Sequence, residues 1–137
     1  MAFFAKISTK EHYGLQLALQ LAQTYFTKKP VSLAEISKAE NISLKYLEQL
    51  IIPFKKGKWI KSVRGREGGY LMIKDPKKIS LQDMIKMMDS DMSVVSCLCK
   101  GSSCKLSSKC ASQKAWRQVQ AAIEKALEDV KFADLIK

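Results

Sequence analysis

Apolar residues recur between residues 11 and 27 at intervals of three and four. Leu15, Ala18, Leu19, Ala22, Tyr25 and Phe26 fall at the i, i+3, i+4, i+7 spacing of one helical stripe, and "KKP" closes that helix. The following stretch, "VSLAEISKAE", begins with Ser32 and carries Glu35 three positions later. That is a capping box, and it predicts a short second helix to about Ala39. After the turn "EN", Ser43 can cap a third helix over "LKYLEQLI", with Leu44, Leu47, Leu50 and Ile51 as its apolar face. Pro53 has no N–H to donate and its ring crowds the preceding turn. The third helix is therefore expected to end or kink there, with Gly57 finishing the turn.

The period then changes. "WIKSV" and "YLMI" alternate as strands do, and the glycine-rich "RGREGG" between them predicts a hairpin. "DPKK" is a second turn, and "SLQDMIKMMD" reads as a fourth helix capped by Ser80, with Asp83 in its first turn suiting the helix dipole. A long last helix is expected from about Ser112, with Trp116, Val119, Ile123, Ala126, Leu127 and Val130 on one stripe. Helix, short helix, turn, helix and basic hairpin is the order of a winged helix-turn-helix. The expected fold class is mainly α with a small β-wing, a winged helix-turn-helix plus a long C-terminal dimerisation helix. The last helix has no later element to cover its stripe. It either packs on the first helix or meets a second copy of itself in a homodimer.

Charge narrows the partner. The 137 residues carry 24 Lys+Arg against 13 Asp+Glu, a net charge of +11, which favours a polyanion. The run "KKGKWIKSVRGR", residues 55 to 66, concentrates Lys55, Lys56, Lys58, Lys61, Arg64 and Arg66 with no acidic residue. A solvated loop would look the same in isolation. Placed after a helix-turn-helix, it reads as a DNA-binding wing. The polar positions opening the third helix are Ser43, Lys45, Tyr46, Glu48 and Gln49, and these are the candidates to face base edges and phosphates in the major groove. Glu48 could accept from a cytosine amino group, and Gln49 could pair with adenine. Arg64, Gly65 and Arg66 form a narrow tip that suits the minor groove. The expected partner is a double-stranded DNA operator. No apolar run reaches about 18 residues and no secretory leader is visible, so no membrane partner and a cytoplasmic location are expected.

All four cysteines fall in "CLCKGSSCKLSSKC", residues 97 to 110. In a reducing compartment such clusters serve as metal ligands or redox thiols more often than as disulfides. Cys97, Cys99, Cys104 and Cys110 could satisfy tetrahedral zinc, although their spacing lacks paired C-x2-C knuckles. A thiol switch is open as well. An electron carrier or redox enzyme is a further option. The single histidine and the absence of a Ser-His-Asp grouping or phosphate-binding glycine loop speak against an enzyme. We divide the chain into a DNA-binding domain, residues 1 to 78, and a second part, residues 79 to 137. The second part holds helix four, the cysteine loop at 95 to 111 and the dimerisation helix.

"ISLKYLEQL" followed by "SVRGREGGYLM", a cysteine cluster and "CASQKAW" resembles the BadM-type, or Rrf-two, winged-helix regulators. The resemblance runs over nearly the whole chain, from "ISTKEHYGLQLALQLA" onward. It implies a dimeric transcription regulator sensing redox, nitric oxide or iron-sulfur status through a cysteine-ligated iron-sulfur cluster, 2Fe-2S or 4Fe-4S. It also places the base-contacting and groove-contacting roles on Glu48 and Arg64, with Ser43, Tyr46 and Gln49 beside them. In the cluster-binding members three cysteines are separated by five residues each. Cys104 and Cys110 have that spacing, whereas the first position falls on Leu98, between Cys97 and Cys99. IscR-like members place a histidine three positions after the third cysteine; here that residue is Gln113. The fourth ligand is then the spare member of the Cys97/Cys99 pair or His12 of the partner subunit. His12 aligns with the position where NsrR-like members use an aspartate.

Overall fold

The structure is a computed structural model that describes residues 7–89, 93 and 110–136. Helix α1 spans Thr9–Thr27, and its start is held by Glu11, whose carboxylate accepts from the Ser8 backbone N–H at 3.0 Å and from the Ser8 hydroxyl. Its buried face overlaps the predicted stripe only in part. Leu17 and Leu21 are fully buried with Ala18 and Ala22, while Leu15, Leu19 and Tyr25 are half-buried and Phe26 is 51% exposed. The reason is that α1 is enclosed by several elements, touching α3 and the wing as well as the chain end. Periodicity finds a stripe but not the stripe that most neighbours cover.

The predicted capping box of α2 (Leu33–Glu40) is present, with Glu35 N–H donating to Ser32 Oγ at 3.1 Å and Ser32 N–H to Glu35 Oε2 at 2.9 Å. Asn41 closes α2 in the left-handed region at φ 55°. The Ser37 hydroxyl then donates to the Ile42 carbonyl at 2.6 Å, pinning the turn, and Ile42 is buried. Glu40 ties α2 to α1 by accepting from Gln16 and Gln20. These bonds fix α2 against α1, the helix that supports the helix-turn-helix.

Helix α3 (Leu44–Lys56) starts at Ser43 as expected but runs through Pro53 rather than ending there. The proline removes one donor from the ladder. Its own carbonyl still accepts from Gly57 N–H at 2.8 Å, and fully buried Phe54 anchors the last turn in the core. Leu44 of the predicted apolar face is 43% exposed; Leu47, Leu50 and Ile51 are buried.

Strands β1 (Ile60–Val63) and β2 (Gly69–Met72) pair antiparallel, Ile60 opposite Met72 and Val63 opposite Gly69. A single 3-10 turn at Pro76–Lys78 leads into α4 (Leu81–Met87), whose Ser80 and Asp83 form a capping box. The described chain resumes at α5 (Ala111–Asp129), and α6 (Phe132–Leu135) ends it. The return after α5 departs from the single long helix expected. Val130 is extended, Leu81 N–H donates to its carbonyl at 3.1 Å, and Phe132 N–H donates to the Ile79 carbonyl at 2.9 Å. This antiparallel bridge delivers Phe132, fully buried, edge-on to Trp59 at 6.3 Å between ring centroids. One core therefore includes residues from α1, α3, the hairpin, α4 and α6. The stripe of α5 is only partly covered. Ile123 and Leu127 are half-buried, whereas Trp116 and Val119 are 38% and 41% exposed.

Candidate nucleic-acid interface and cysteine site

The N-terminal turn of α3 is presented to solvent because its cap is satisfied internally. Ser43 is exposed and its Oγ accepts from Tyr46 N–H at 3.1 Å, which leaves the hydroxyl hydrogen able to donate outward. Lys45, Glu48 and Gln49 are exposed on one face, at helical spacings of three and four. Tyr46 is different. It is half-buried against the core, and its ring meets Tyr13 edge-on at 5.9 Å, so α1 supports it from behind. Ile52, seven residues after Lys45, extends the same face and is 44% exposed. Its spacing places it on that face, but nothing in an apolar side chain marks a nucleic-acid contact.

The wing is built by backbone requirements. Gly65 has φ +115°, and Gly68 N–H donates to the Gly65 carbonyl at 3.0 Å to close the tip. A Cβ at Gly68 would lie 2.3 Å from the Val63 carbonyl oxygen, so only glycine fits this return. Arg64, Gly65, Arg66 and Glu67 are exposed at the tip. Lys55, Lys56, Lys58 and Lys61 are exposed below it, and none of these cations is in an ion pair among the described residues. Lys55, one of these cations, lies over the Tyr70 ring at 5.0 Å, and a further cation, Lys74, lies over the Trp59 ring at 4.8 Å, so aromatic faces hold both in place. A polar helix face and an arginine-tipped hairpin, set on one basic body, are suited to a duplex: one element to read a groove, the other to hold phosphates.

Of the cysteine cluster, Cys110 lies within the described residues. It is half-buried, free of disulfide, and stands as the N-cap of α5. Gln113, in the first turn of α5, is 4% exposed. Cys97, Cys99 and Cys104 fall outside the described residues. His12 is exposed on the first turn of α1, its ring 5.5 Å from that of Tyr13. Among the described residues no group of three or more His, Cys, Asp or Glu side chains comes together to hold a metal ion. As donors, soft thiolates suit an iron-sulfur cluster or zinc, and a half-buried Cys110 at a helix start is compatible with either.

The model of the family described as "Rrf2: Iron-dependent Transcriptional regulator" matches residues 7–137. The chain belongs to the Rrf2, or Rrf-two, family. This Rrf2 protein is 32% identical over 130 residues to the HTH-type transcriptional regulator CymR of Bacillus subtilis (strain 168), covering 95% of this chain and 88% of CymR. It is 33% identical over 131 residues to the HTH-type transcriptional regulator IscR of Klebsiella pneumoniae (strain 342), covering 96% of this chain and 79% of IscR. The solved structure of CymR, named the global cysteine regulator of B. subtilis, superposes with a TM-score of 0.76 at 32% identity, covering 95% of both chains. The mainly helical fold with its two-stranded wing is thus that of the Rrf2 winged-helix regulators. Its relatives are transcriptional regulators rather than enzymes. No helix among the described residues is long and apolar enough to cross a membrane.

Proposed function

We propose that this Rrf2 regulator binds its operator as a homodimer joined along α5 and gates that binding through an iron-sulfur cluster held by the cysteines before α5. In this reading Lys45, Glu48 and Gln49 face base edges, with Ser43 and Tyr46 at the phosphates beside them. Arg64, Gly65 and Arg66 enter the minor groove. The observation that carries the proposal is the position of Cys110. It caps the same helix whose Trp116 and Val119 are left open for a second copy, so a ligand at that thiol sits on the dimer element.

Cys110 and Cys104 would each supply a thiolate to the cluster, with Cys97 or Cys99 as the third. The spare cysteine or the partner's copy of His12 would be the fourth ligand. When bound, the cluster would supply a centre that reacts with oxidants or nitric oxide. A change in what Cys110 holds would bias the start of α5 and hence the separation of two reading heads that must match half-sites about 34 Å apart. The family description, iron-dependent, supports this reading. A second reading, that the thiols act without a cluster or hold zinc, is favoured by the similarity to CymR, whose structure is named for cysteine regulation.

The test is anaerobic purification with iron, sulfide and zinc counts, followed by duplex binding of loaded and stripped protein. Brown protein containing iron and acid-labile sulfide, with binding that changes on stripping, is expected. Colourless protein with stoichiometric zinc, or identical binding in both states, would refute cluster gating.

A further inference from the structure

The outer edge of β2 is closed by the α1–α2 segment. Along an antiparallel strand, N–H groups two residues apart point to the same edge, and Tyr70 and Met72 both direct theirs away from β1. Left unpaired, these outward groups would give the hairpin no backbone anchor to the rest of the fold. Here Tyr70 exchanges two backbone bonds with Val31, its N–H donating to the Val31 carbonyl at 2.8 Å and its carbonyl accepting from Val31 N–H at 3.0 Å. At Met72 the neighbouring element is α1, whose backbone groups are committed to the helix. The Thr24 side chain substitutes for a strand. Its Oγ1 accepts from Met72 N–H at 2.8 Å and donates to the Leu21 carbonyl at 2.5 Å, with both residues buried.

Gly69 makes the approach possible. Its φ is +155°, and a Cβ there would stand 2.3 Å from the Val31 carbonyl oxygen and 2.7 Å from the Ser32 nitrogen. The base of the wing is therefore bonded to the α1–α2 segment at consecutive outward-facing positions, and α1 also packs on α3. The hairpin tip is a short extension from a fixed base.

We infer that Thr24, with Gly69 and Val31, is a positioning residue for DNA reading: it fixes the wing relative to α3, so that Arg64 meets the duplex without first losing the freedom of a swinging hairpin. This rests on the proposed role of the wing in the minor groove. Thr24 itself touches no DNA. A preset geometry raises affinity by removing an ordering cost rather than by adding a contact.

The experiment is a double-mutant cycle between Thr24→Val and Arg64→Ala, read by fluorescence anisotropy on a duplex that the wild-type protein selects from random sequence. Thr24→Val keeps the size of the side chain and removes both hydrogen-bonding roles. It should weaken binding at least about fivefold, the lower end of what one direct arginine contact carries. In the Arg64→Ala background the same change should cost less than about twofold, and Thr24→Ser, which keeps the hydroxyl, should restore wild-type affinity. Equal losses in both backgrounds would show general damage and overturn the inference. So would full affinity of Thr24→Val while Arg64→Ala is impaired. If Arg64→Ala itself binds normally, the wing reading fails, and the inference with it. Should Thr24→Val not fold, Gly69→Ala enters the same cycle, where a Cβ against Val31 should reproduce the loss only when Arg64 is present. Amide exchange at Met72 gives a second readout. It should accelerate in Thr24→Val and not in Arg64→Ala, and unchanged exchange in Thr24→Val would count against the clamp.

Discussion

Replacing Trp116 tests the proposed dimer face on α5 directly. An aromatic side chain of this size buries at most about 250 Å², and Trp116 is 38% exposed. Roughly 90 Å² is then open for a partner to cover, about 2 kcal/mol at about 25 cal/mol per Å². A two-fold axis uses the contact twice, so Trp116→Ala should cost about 4–5 kcal/mol of dimerisation. That is more than about a thousandfold in the dissociation constant, at about 1.4 kcal/mol per decade. Sedimentation equilibrium over a dilution series measures that constant, and circular dichroism on the same samples reports whether each subunit is still folded. Val119→Glu, one turn along and 41% exposed, places a charge on the same face and should act in the same direction. Two folded variants with the wild-type dissociation constant would refute α5 as the interface. The exposed stripe would then need another explanation.

Glu48→Ala should relax base preference at one operator position, by about 1–3 kcal/mol of discrimination, in a selection from randomised duplexes. Lys61→Ala should instead weaken all duplexes alike and reduce the salt slope of binding by about 1, seen by titration at several ionic strengths. Ser43→Ala removes the acceptor that caps α3 and should cost about 1 kcal/mol of stability in denaturant unfolding, since Tyr46 N–H loses its 3.1 Å partner. Phe132→Ala empties a fully buried site beside Trp59 and should cost about 3–5 kcal/mol, lowering the melting midpoint by roughly 10–20 °C in a thermal scan.

The features of this protein that are legible in its amino-acid sequence are those governed by neighbours within one helical turn or one hairpin. Ser32 with Glu35, Ser80 with Asp83, and Ser43 over Tyr46 each satisfy a helix end three residues away. The glycines of "RGREGG" announce a return that only they can make. Ser43, Lys45, Glu48 and Gln49 at the start of α3 and the arginines of the tip are exposed, because caps and turn geometry hold them out, while Tyr46 turns half into the core. Other features depend on distant partners. The stripe assigned to α1 puts Phe26 inside and passes over Leu17 and Leu21, because periodicity cannot say which side of a helix several elements will enclose. Pro53 signals an end that Phe54 overrides through burial. Thr24 carries no signal, since a threonine inside a helix gives no hint that a strand amide will need its hydroxyl.

What the sequence by itself determined is the order of elements as far as α5, the basic wing, the candidate reading residues and the crowding of four thiols before α5. Each of these follows from local spacing, backbone permissiveness or charge. Only the tertiary structure decided which faces are buried and how the chain end returns past Val130 to seat Phe132. It alone showed that the wing is bonded to α1 through Thr24 and that Trp116 and Val119 stay uncovered. The physical reason is the same in each case. Burial and edge pairing are properties of two surfaces meeting, and one stretch of chain specifies only its own side.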